Sequence, residues 1–188
     1  MPSITVYGSS SPRTPEIYLG TARELGRRIA EQGWTLVNGA GKDGCMGALN
    51  DACLAAGGAV RGVILRHFAE QGLQHPALAE VLIADDMRTR KKMLAEQADA
   101  FITLPGGPGT WEEFWEMVVQ RQIGATRAPL VAIDVDDCYA GFRLMLARAE
   151  SDGLLYGAAE DLVTWTPNAE AAIAVVTTAL EIGHFPIL

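Results

Sequence analysis

The strongest constraint in this sequence is a regular alternation between short apolar runs and longer stretches with helical patterning. The apolar runs carry no alternating polar residues, which is typical of parallel strands that helices cover on both faces. They occupy residues 4–8, 34–39, 59–65, 81–84, 100–104, 128–134 and 161–165. We therefore predict an α/β fold with a doubly wound, Rossmann-like, mostly parallel sheet and helices on both faces. The 188 residues suffice for a single nucleotide-binding domain spanning 1–188.

This fold class also predicts where a ligand binds. Ligands of doubly wound sheets occupy a crevice at the carboxyl ends of the strands. The turns after residues 4–8, 34–39, 81–84 and 100–104 are therefore the places to search. A helix is predicted over 111–123, and another from Pro167 to about Leu180. The segment 66–80 lacks clear periodicity and is predicted to be a loop with a helical turn.

Charge and hydropathy restrict the partners. The net charge of −8 argues against the broad basic surface that binds nucleic acid or anionic membranes. No apolar run approaches the ~18 residues of a membrane span, and the first residues, MPSITVYG, lack the pattern of a secretory signal. We expect a soluble cytoplasmic protein that binds neither nucleic acid nor membrane.

Cysteine and histidine residues give no metal-like spacing, so neither a metal site nor a cofactor is predicted. The odd cysteine count suggests structural thiols in a reducing compartment. The residues concerned are Cys45, Cys53, Cys138, His67, His75 and His184.

The stretch NGAGKDGCMG (38–47) follows a predicted strand and opens a predicted helix. Gly39, Gly41 and Gly44 match G-x-G-x-x-G, a spacing that lets backbone N–H groups approach a phosphate. However, no acidic residue ends the following strand, as the dinucleotide fingerprint requires. A tight strand–helix turn that needs small residues explains the glycines equally well.

Four cations crowd into the start of a predicted helix within DDMRTRKKM (85–93). Cations there oppose the helix dipole, at about 0.3–1 kcal/mol each. A solvated charged face accounts for Arg88 and Lys92. Arg90 and Lys91 are the candidates for facing the strand ends, where an anionic substrate would offset the unfavourable dipole interaction.

The stretch LPGGPGTWEE (104–113) joins a predicted strand to a predicted helix. Its glycines can form a nest of N–H groups that holds a phosphate. A glutamate near a bound sugar phosphate would stabilise positive charge on the ribose. Alternatively, Thr110 and Glu113 form a capping box, with the Glu113 carboxylate accepting from the Thr110 N–H.

Together these segments resemble the LOG family, the cytokinin riboside 5′-monophosphate phosphoribohydrolases. PGGPGTWEE resembles the family signature P-G-G-x-G-T-x-x-E, and MRTRKKM resembles its companion M-x-x-R-K-x-x-M. NGAGKDGCMG is similar to G-G-G-x-x-G-L-M-G, and VYGSSS is similar to the first strand and loop. The order and spacing match from about Ile4 to Gly153.

The resemblance implies cleavage of the N-glycosidic bond of a nucleoside 5′-monophosphate, the reaction of cytokinin biosynthesis, by a homodimer or an assembly of dimers. The family's catalytic arginine falls on Arg90 and its catalytic glutamate on Glu113. Its substrate-binding lysine falls on Lys91. The remaining expected substrate-binding residues are Ser9, Gly39, Gly41, Gly44, Gly106, Gly107, Pro108, Gly109, Thr110, Trp111 and Glu112.

The chain departs from the family pattern at several positions. Asn38 and Ala40 stand in the second glycine turn, and Cys45 replaces leucine. The segment 66–80 lacks the family's usual acidic residue; Glu70 or Glu80 are substitutes that the sequence does not distinguish. A non-catalytic nucleotide or cofactor carrier of the same fold is the alternative function. Lysine decarboxylase, a label attached to the family, finds no setting for a pyridoxal-phosphate lysine.

Overall fold

The computed structural model of the chain describes residues 1–183, so His184 lies outside the described residues. Within them, seven parallel strands form one sheet in the order β4-β3-β2-β1-β5-β6-β7. The strands are β1 (Ser3–Tyr7), β2 (Thr35–Asn38), β3 (Ala59–Leu65), β4 (Glu80–Ala84), β5 (Ala100–Thr103), β6 (Leu130–Ile133) and β7 (Thr164–Thr166). The helices are α1 (Glu16–Glu31), α2 (Gly44–Ala55), α3 (Arg66–Glu70), α4 (Met87–Glu96), α5 (Pro108–Gln122), α6 (Ala140–Ser151) and α7 (Ala169–Ile182).

The strand order places a topological switch point between β1 and β5. The chain builds outward from β1 to β4 and then returns to the other side of β1, where β5 pairs with it from Ile4↔Ala100 to Tyr7↔Thr103. The turns that follow β1 and β5 are therefore neighbours, and the Ser9 N–H donates to the Pro105 carbonyl (3.2 Å). A crevice at such a point is the usual ligand site of this architecture. The predicted fold class is confirmed.

Separate apolar cores cover the two faces of the sheet. On one face α1, α2 and α7 bury residues such as Leu25, Leu49 and Val176. On the other, the helices α4, α5 and α6 contribute Leu94, Phe114 and Leu146. Helices on both faces bury the central strands β1, β2, β5 and β6, which explains why these strands read as continuous apolar runs. The edge strand β4 is partly exposed.

Several element boundaries differ from the predictions. The helix predicted over 111–123 begins at Pro108, because proline fits the first helical turn, where its missing N–H costs nothing. Within 66–80, α3 follows β3 directly, and the rest is a loop held by a bridge between Gly41 and Gln74. The last strand, predicted over 161–165, is Thr164–Thr166.

The cysteines Cys45 and Cys53 are core residues. Burial raises the pKa of both thiols to about 11, so both remain uncharged at neutral pH. Among the described residues, no helix has the length and apolar character needed to traverse a membrane.

Candidate active site

A cavity of about 400 Å³ opens at the carboxyl ends of the strands, beside the switch point. The loop after β1, the turn into α2, the start of α5 and one face of α4 form its walls. Of the sequence-predicted site residues, those that line it are Ser9, Gly39, Gly41, Arg90, Gly107, Pro108, Gly109, Thr110, Glu112 and Glu113. The predicted residues outside the lining are Gly44, Lys91, Gly106 and Trp111.

Arg90 and Glu113 meet in the wall of this cavity. Arg90 Nη1 lies 3.4 Å from Glu113 Oε1, and their side chains are only 11% and 10% exposed. Arg90 Nε donates to the Val63 carbonyl at the end of β3 (3.0 Å). A Cβ at Gly39 would overlap Arg90 Nη2, so a larger residue there would displace the guanidinium. The contacts with Glu113 and Val63 orient the arginine before any ligand binds.

At the start of α4, Arg90 faces the cavity, whereas Arg88 and Lys92 face solvent. Asp86 caps the helix, since its Oδ1 accepts from the Thr89 N–H (2.9 Å). Arg88 is exposed and Lys92 is 70% exposed, as the prediction of a solvated face requires.

Lys91 does not line the cavity. Its Nζ pairs with Glu112 Oε1 (2.8 Å) and Glu116 Oε2 (3.1 Å) on α5. The bond to Glu112 is also the main reason that the pKa of Lys91 is raised. The structure therefore places Lys91 as a brace between α4 and α5, behind the cavity wall.

The amino end of α5 forms the side of the cavity opposite the turn into α2. Gly107 caps the helix without a side-chain bond, and the first intrahelical bond runs from the Trp111 N–H to the Gly107 carbonyl (3.0 Å). The N–H groups of Gly109 and Thr110 therefore have no acceptor within the helix. These donors, with the positive end of the helix dipole, make an anion site.

One interpretation of this stretch is wrong. The capping box between Thr110 and Glu113 does not form, because α5 begins at Pro108 and the Glu113 carboxylate contacts Arg90. Gly106 is not among the residues that line the cavity, and a Cβ there would overlap the Thr110 hydroxyl. This glycine lets the turn close on α5.

The turn into α2 differs from the start of α5. The Met46 N–H already donates to the Ser9 carbonyl (3.0 Å), outside the helix. The bond from the Gly47 N–H to the Asp43 carbonyl (3.0 Å) is the first bond of the helix itself, as the bond from Trp111 to Gly107 is in α5. Gly44 has φ +62° and lies against the backbone of the loop after β1, so the demands of a tight turn explain this glycine. The acidic Asp43 also occupies the cap position. This helix start therefore suits an anion less well than α5 does.

Asn38 and Asn50, which pattern reading did not select, hold this turn in shape. Asn38 Oδ1 accepts from the Ala40 N–H (2.8 Å), and Asn38 Nδ2 donates to Asn50 Oδ1 (2.5 Å). Asn50 Nδ2 donates in turn to the Gly41 carbonyl (3.1 Å). This network supports Ala40 in a left-handed conformation (φ 62°) that favours glycine. Asn38 thus has a structural purpose in this chain.

Three acidic residues line the cavity: Glu112, Glu113 and Asp43. Glu70 and Glu80 do not line the cavity, and Glu80 pairs with Arg61 (2.6 Å). The residues of the segment 66–80 that reach the cavity are apolar. With neighbouring side chains they form an apolar patch of Met46, Ile64, Phe68, Leu73 and Met87. Such a surface suits the planar face of a base.

Burial controls the charge of Glu113. The pKa of Glu113 is raised to about 7, mainly by removal from water and with smaller contributions from Glu112 and Glu116, against the opposing effects of Arg90 and Lys91. The carboxyl group is therefore close to half-ionised at neutral pH, where a small change in its surroundings shifts its charge.

Comparison with known proteins decides the family. A family model described as "Possible lysine decarboxylase" matches residues 46–176. A cytokinin riboside 5′-monophosphate phosphoribohydrolase of Rhodococcoides fascians is 35% identical over 175 residues, covering 93% of this chain and 88% of that protein. Its namesake LOG7 of Arabidopsis thaliana is 35% identical over 166 residues, covering 88% of this chain and 76% of that protein. The chain belongs to the LOG family.

Solved structures show how widely the LOG-family fold is shared. The molybdenum cofactor carrier protein of Chlamydomonas reinhardtii superposes with a TM-score of 0.73 at 24% identity, over 96% of this chain and 98% of the carrier. The molybdenum cofactor binding protein of Rippkaea orientalis gives 0.76 at 19% identity, over 95% and 97%. At these identities the likeness concerns the fold alone.

Proposed function

We propose that this LOG-family protein hydrolyses the N-glycosidic bond of a nucleoside 5′-monophosphate, releasing the free base and ribose 5-phosphate. The observation that carries the proposal is the buried Arg90–Glu113 pair beside the uncapped start of α5, in one cavity. Relatives at 35% identity that bear the name phosphoribohydrolase support the class of reaction.

The geometry suggests one orientation for the nucleotide. Its phosphate accepts hydrogen bonds from the N–H groups of Gly109 and Thr110, because those donors are unused within α5. At the start of α2, by contrast, the Met46 N–H is already bonded to the Ser9 carbonyl. The ribose then lies between the phosphate site and the Arg90–Glu113 pair, and the base lies against the apolar patch.

The reaction follows from this placement. As the bond from C1′ to the base breaks, its electron pair leaves with the base, and C1′ acquires oxocarbenium character. The ionised Glu113 stabilises that charge or orients the water that adds to C1′. Arg90 holds the ribose or phosphate; its very high ordinary pKa makes a guanidinium a poor proton donor. The base takes up a proton and the water loses one, so the step needs no redox partner.

The pH dependence of kcat/KM tests which form of Glu113 acts. Because the ionised carboxylate is the working form and its pKa is about 7, we expect kcat/KM to rise with pH along a limb with its midpoint near 7. The Glu116→Gln variant should keep this limb with its midpoint moved slightly to lower pH, since Glu116 pairs with Lys91 outside the cavity and contributes a little to the raised pKa of Glu113. Activity that falls as pH rises through 7 would instead make Glu113 a proton donor to the base.

A substrate panel tests the proposed reaction itself. We expect release of free base from at least one nucleoside 5′-monophosphate in a set that includes AMP and N6-substituted AMP, measured by chromatography. The matching nucleosides lack the phosphate that binds α5 and should be inert. Base release from none of the nucleotides would refute the hydrolase.

A nucleotide or cofactor carrier is the second candidate, favoured by the fold shared with molybdenum cofactor carriers. The Arg90–Glu113 pair argues for the hydrolase, because a carrier has no use for a carboxylate that promotes bond cleavage. A stoichiometric ligand recovered unchanged after long incubation would support the carrier.

Lysine decarboxylation is not proposed, because that chemistry requires a lysine that forms a Schiff base. The lysine that lines the cavity, Lys42, donates to the Gly72 carbonyl instead (2.8 Å).

We also propose a homodimer. The sequence suggests an apolar face on α5 at Phe114, Trp115, Met117 and Val118. The structure buries three of these side chains in the domain's own core and half-buries Trp115, so this face cannot serve as the interface. Other apolar side chains of α5, its carboxyl end and α6 remain exposed in the isolated chain: Trp111, Val119, Ile123, Leu144 and Met145. Apolar surface of this kind is typical of interfaces. Light scattering at micromolar concentration should show a species twice the 20.1 kDa chain mass; a clean monomer would refute the dimer.

A further inference from the structure

An unusual turn after β6 directs the side chain of Tyr139 into the apolar core. Asp136 and Asp137 both adopt left-handed backbone conformations, with φ of 53° and 55°. Asp134, paired with Arg143, accepts from the Tyr139 N–H at Oδ1 (2.7 Å). Strained backbone of this kind persists only where the surrounding structure holds it. The turn, held in this shape, fixes the position of Tyr139 through the bond to Asp134.

Tyr139 contacts both ends of the segment that carries the anion site. The residue is 2% exposed, and its hydroxyl donates to the Leu104 carbonyl (2.6 Å). Its ring lies parallel to that of Phe114, with centroids 6.2 Å apart and an interplanar angle of 13°. Leu104 comes just before the turn into α5, and Phe114 directly follows Glu113. One side chain thus spans the turn, the start of α5 and the helical turn that bears the carboxylate.

The Tyr139 hydroxyl supplies a side-chain hydrogen bond at the junction between β5 and α5, where the neighbouring hydrogen bonds join backbone groups. The Leu104 N–H donates to the Tyr7 carbonyl (2.8 Å), and the Ser9 N–H donates to the Pro105 carbonyl (3.2 Å). Leu104 is fully buried, so water cannot replace the hydroxyl as a donor to its carbonyl. Burial also raises the pKa of Tyr139, which keeps the phenol protonated and donating.

We infer that Tyr139 is a positioning residue that sets the anion site at the start of α5 through its bond to the Leu104 carbonyl. This inference rests on the proposed function only in identifying the anion with the substrate's phosphate. Without the hydroxyl, the Leu104 carbonyl must turn to find another donor, and the turn into α5 shifts with it. The N–H groups of Gly109 and Thr110 then lose their alignment.

The variant Tyr139→Phe tests this, because it keeps the ring packing and removes only the donor. We expect faster hydrogen exchange of the hydrogen-bonded backbone amides of Leu104 and of residues 111–114, and a dissociation constant for inorganic phosphate raised about tenfold. With nucleotide substrate, KM should rise by a similar factor while kcat changes less, since Arg90 and Glu113 stay in place.

The matched control is Thr166→Val. It also removes a buried hydroxyl that donates to a backbone carbonyl, that of Ala132 (3.4 Å), but between β6 and β7 and outside the cavity wall. This variant should lower the midpoint of urea unfolding without changing exchange of the amides of Leu104 and 111–114 or phosphate binding. If Tyr139→Phe behaves in the same way, Tyr139 is only structural and the inference is overturned.

These readouts separate the inference from the proposed function. Hydrogen exchange of the amides of Leu104 and 111–114 does not depend on catalysis, so it tests Tyr139 even if the wild-type protein releases no base. Conversely, unchanged exchange in an active enzyme overturns the role of Tyr139 and leaves the hydrolase intact.

Discussion

The Glu113→Gln variant is expected to lose turnover by roughly 10²-fold or more, the scale of removing one acid–base or electrostatic group. Glutamine fills the same volume next to Arg90 but carries no charge to stabilise an oxocarbenium-like C1′. Phosphate binding should persist, because the donors at the start of α5 are untouched. Steady-state kinetics and the dissociation constant for inorganic phosphate measure the two effects separately.

The same substitution should stabilise the fold at high pH. The pKa of Glu113 is raised from 4.5 to about 7 on folding, so its favourable contribution is full below pH 4.5 and is lost as pH rises through 7. Glutamine does not titrate. The unfolding free energy of Glu113→Gln relative to wild type should therefore increase by up to about 3 kcal/mol between pH 4.5 and 8, measured by urea unfolding.

Glu116→Gln is the control for both effects, since this carboxylate lies on the same helix but pairs with Lys91. It should keep turnover close to that of wild type. Full activity in Glu113→Gln would show that the carboxylate has no chemical role. If the difference in unfolding free energy between Glu113→Gln and wild type does not change with pH, burial does not raise the pKa of Glu113.

Replacing Arg90 by alanine is expected to lower kcat/KM at pH 7 by about 10²- to 10³-fold, the scale of losing one preorganised electrostatic group. The guanidinium opposes the effect of burial on Glu113. Without it, the pKa of Glu113 rises above 7, and the carboxyl group is mostly protonated at neutral pH. The ascending limb of the pH profile should therefore move to higher pH, and part of the activity should return in alkaline buffer.

Arg88→Ala is the matched control for Arg90→Ala. Arg88 lies two residues earlier on α4 and is exposed, so its removal should change neither kcat/KM nor the pH profile. A loss in Arg90→Ala that is the same at every pH would mean that Arg90 only binds substrate. Wild-type activity in that variant would remove Arg90 from the site.

The sequence predicts the sheet well because buried parallel strands leave a direct pattern of apolar runs. It also selects Arg90 and Glu113, which the structure brings within 3.4 Å although they are 23 residues apart. The start of α5 was misplaced because Thr110-x-x-Glu113 imitates a capping box. In the structure Gly107 caps the helix and Pro108 is its first residue, so the helix begins earlier.

Other features depend on tertiary contacts that no local pattern records. One donor at the start of α2, the Met46 N–H, is taken up by Ser9, a residue 37 positions before Met46. Lys91 faces two glutamates of α5 rather than the cavity. Asp43 reaches the cavity through the fold of the turn into α2, so the search for an acidic residue in 66–80 could not find it.

The central claim is that Arg90, Glu113 and the start of α5 converge on one ribose 5-phosphate unit. A crystal structure of Glu113→Gln with a bound nucleoside 5′-monophosphate tests it most directly. We predict phosphate oxygens within hydrogen-bonding distance of the Gly109 and Thr110 N–H groups, with C1′ beside residue 113 and Arg90. A nucleotide bound with its phosphate at the turn into α2, or with C1′ remote from residue 113, would contradict the account.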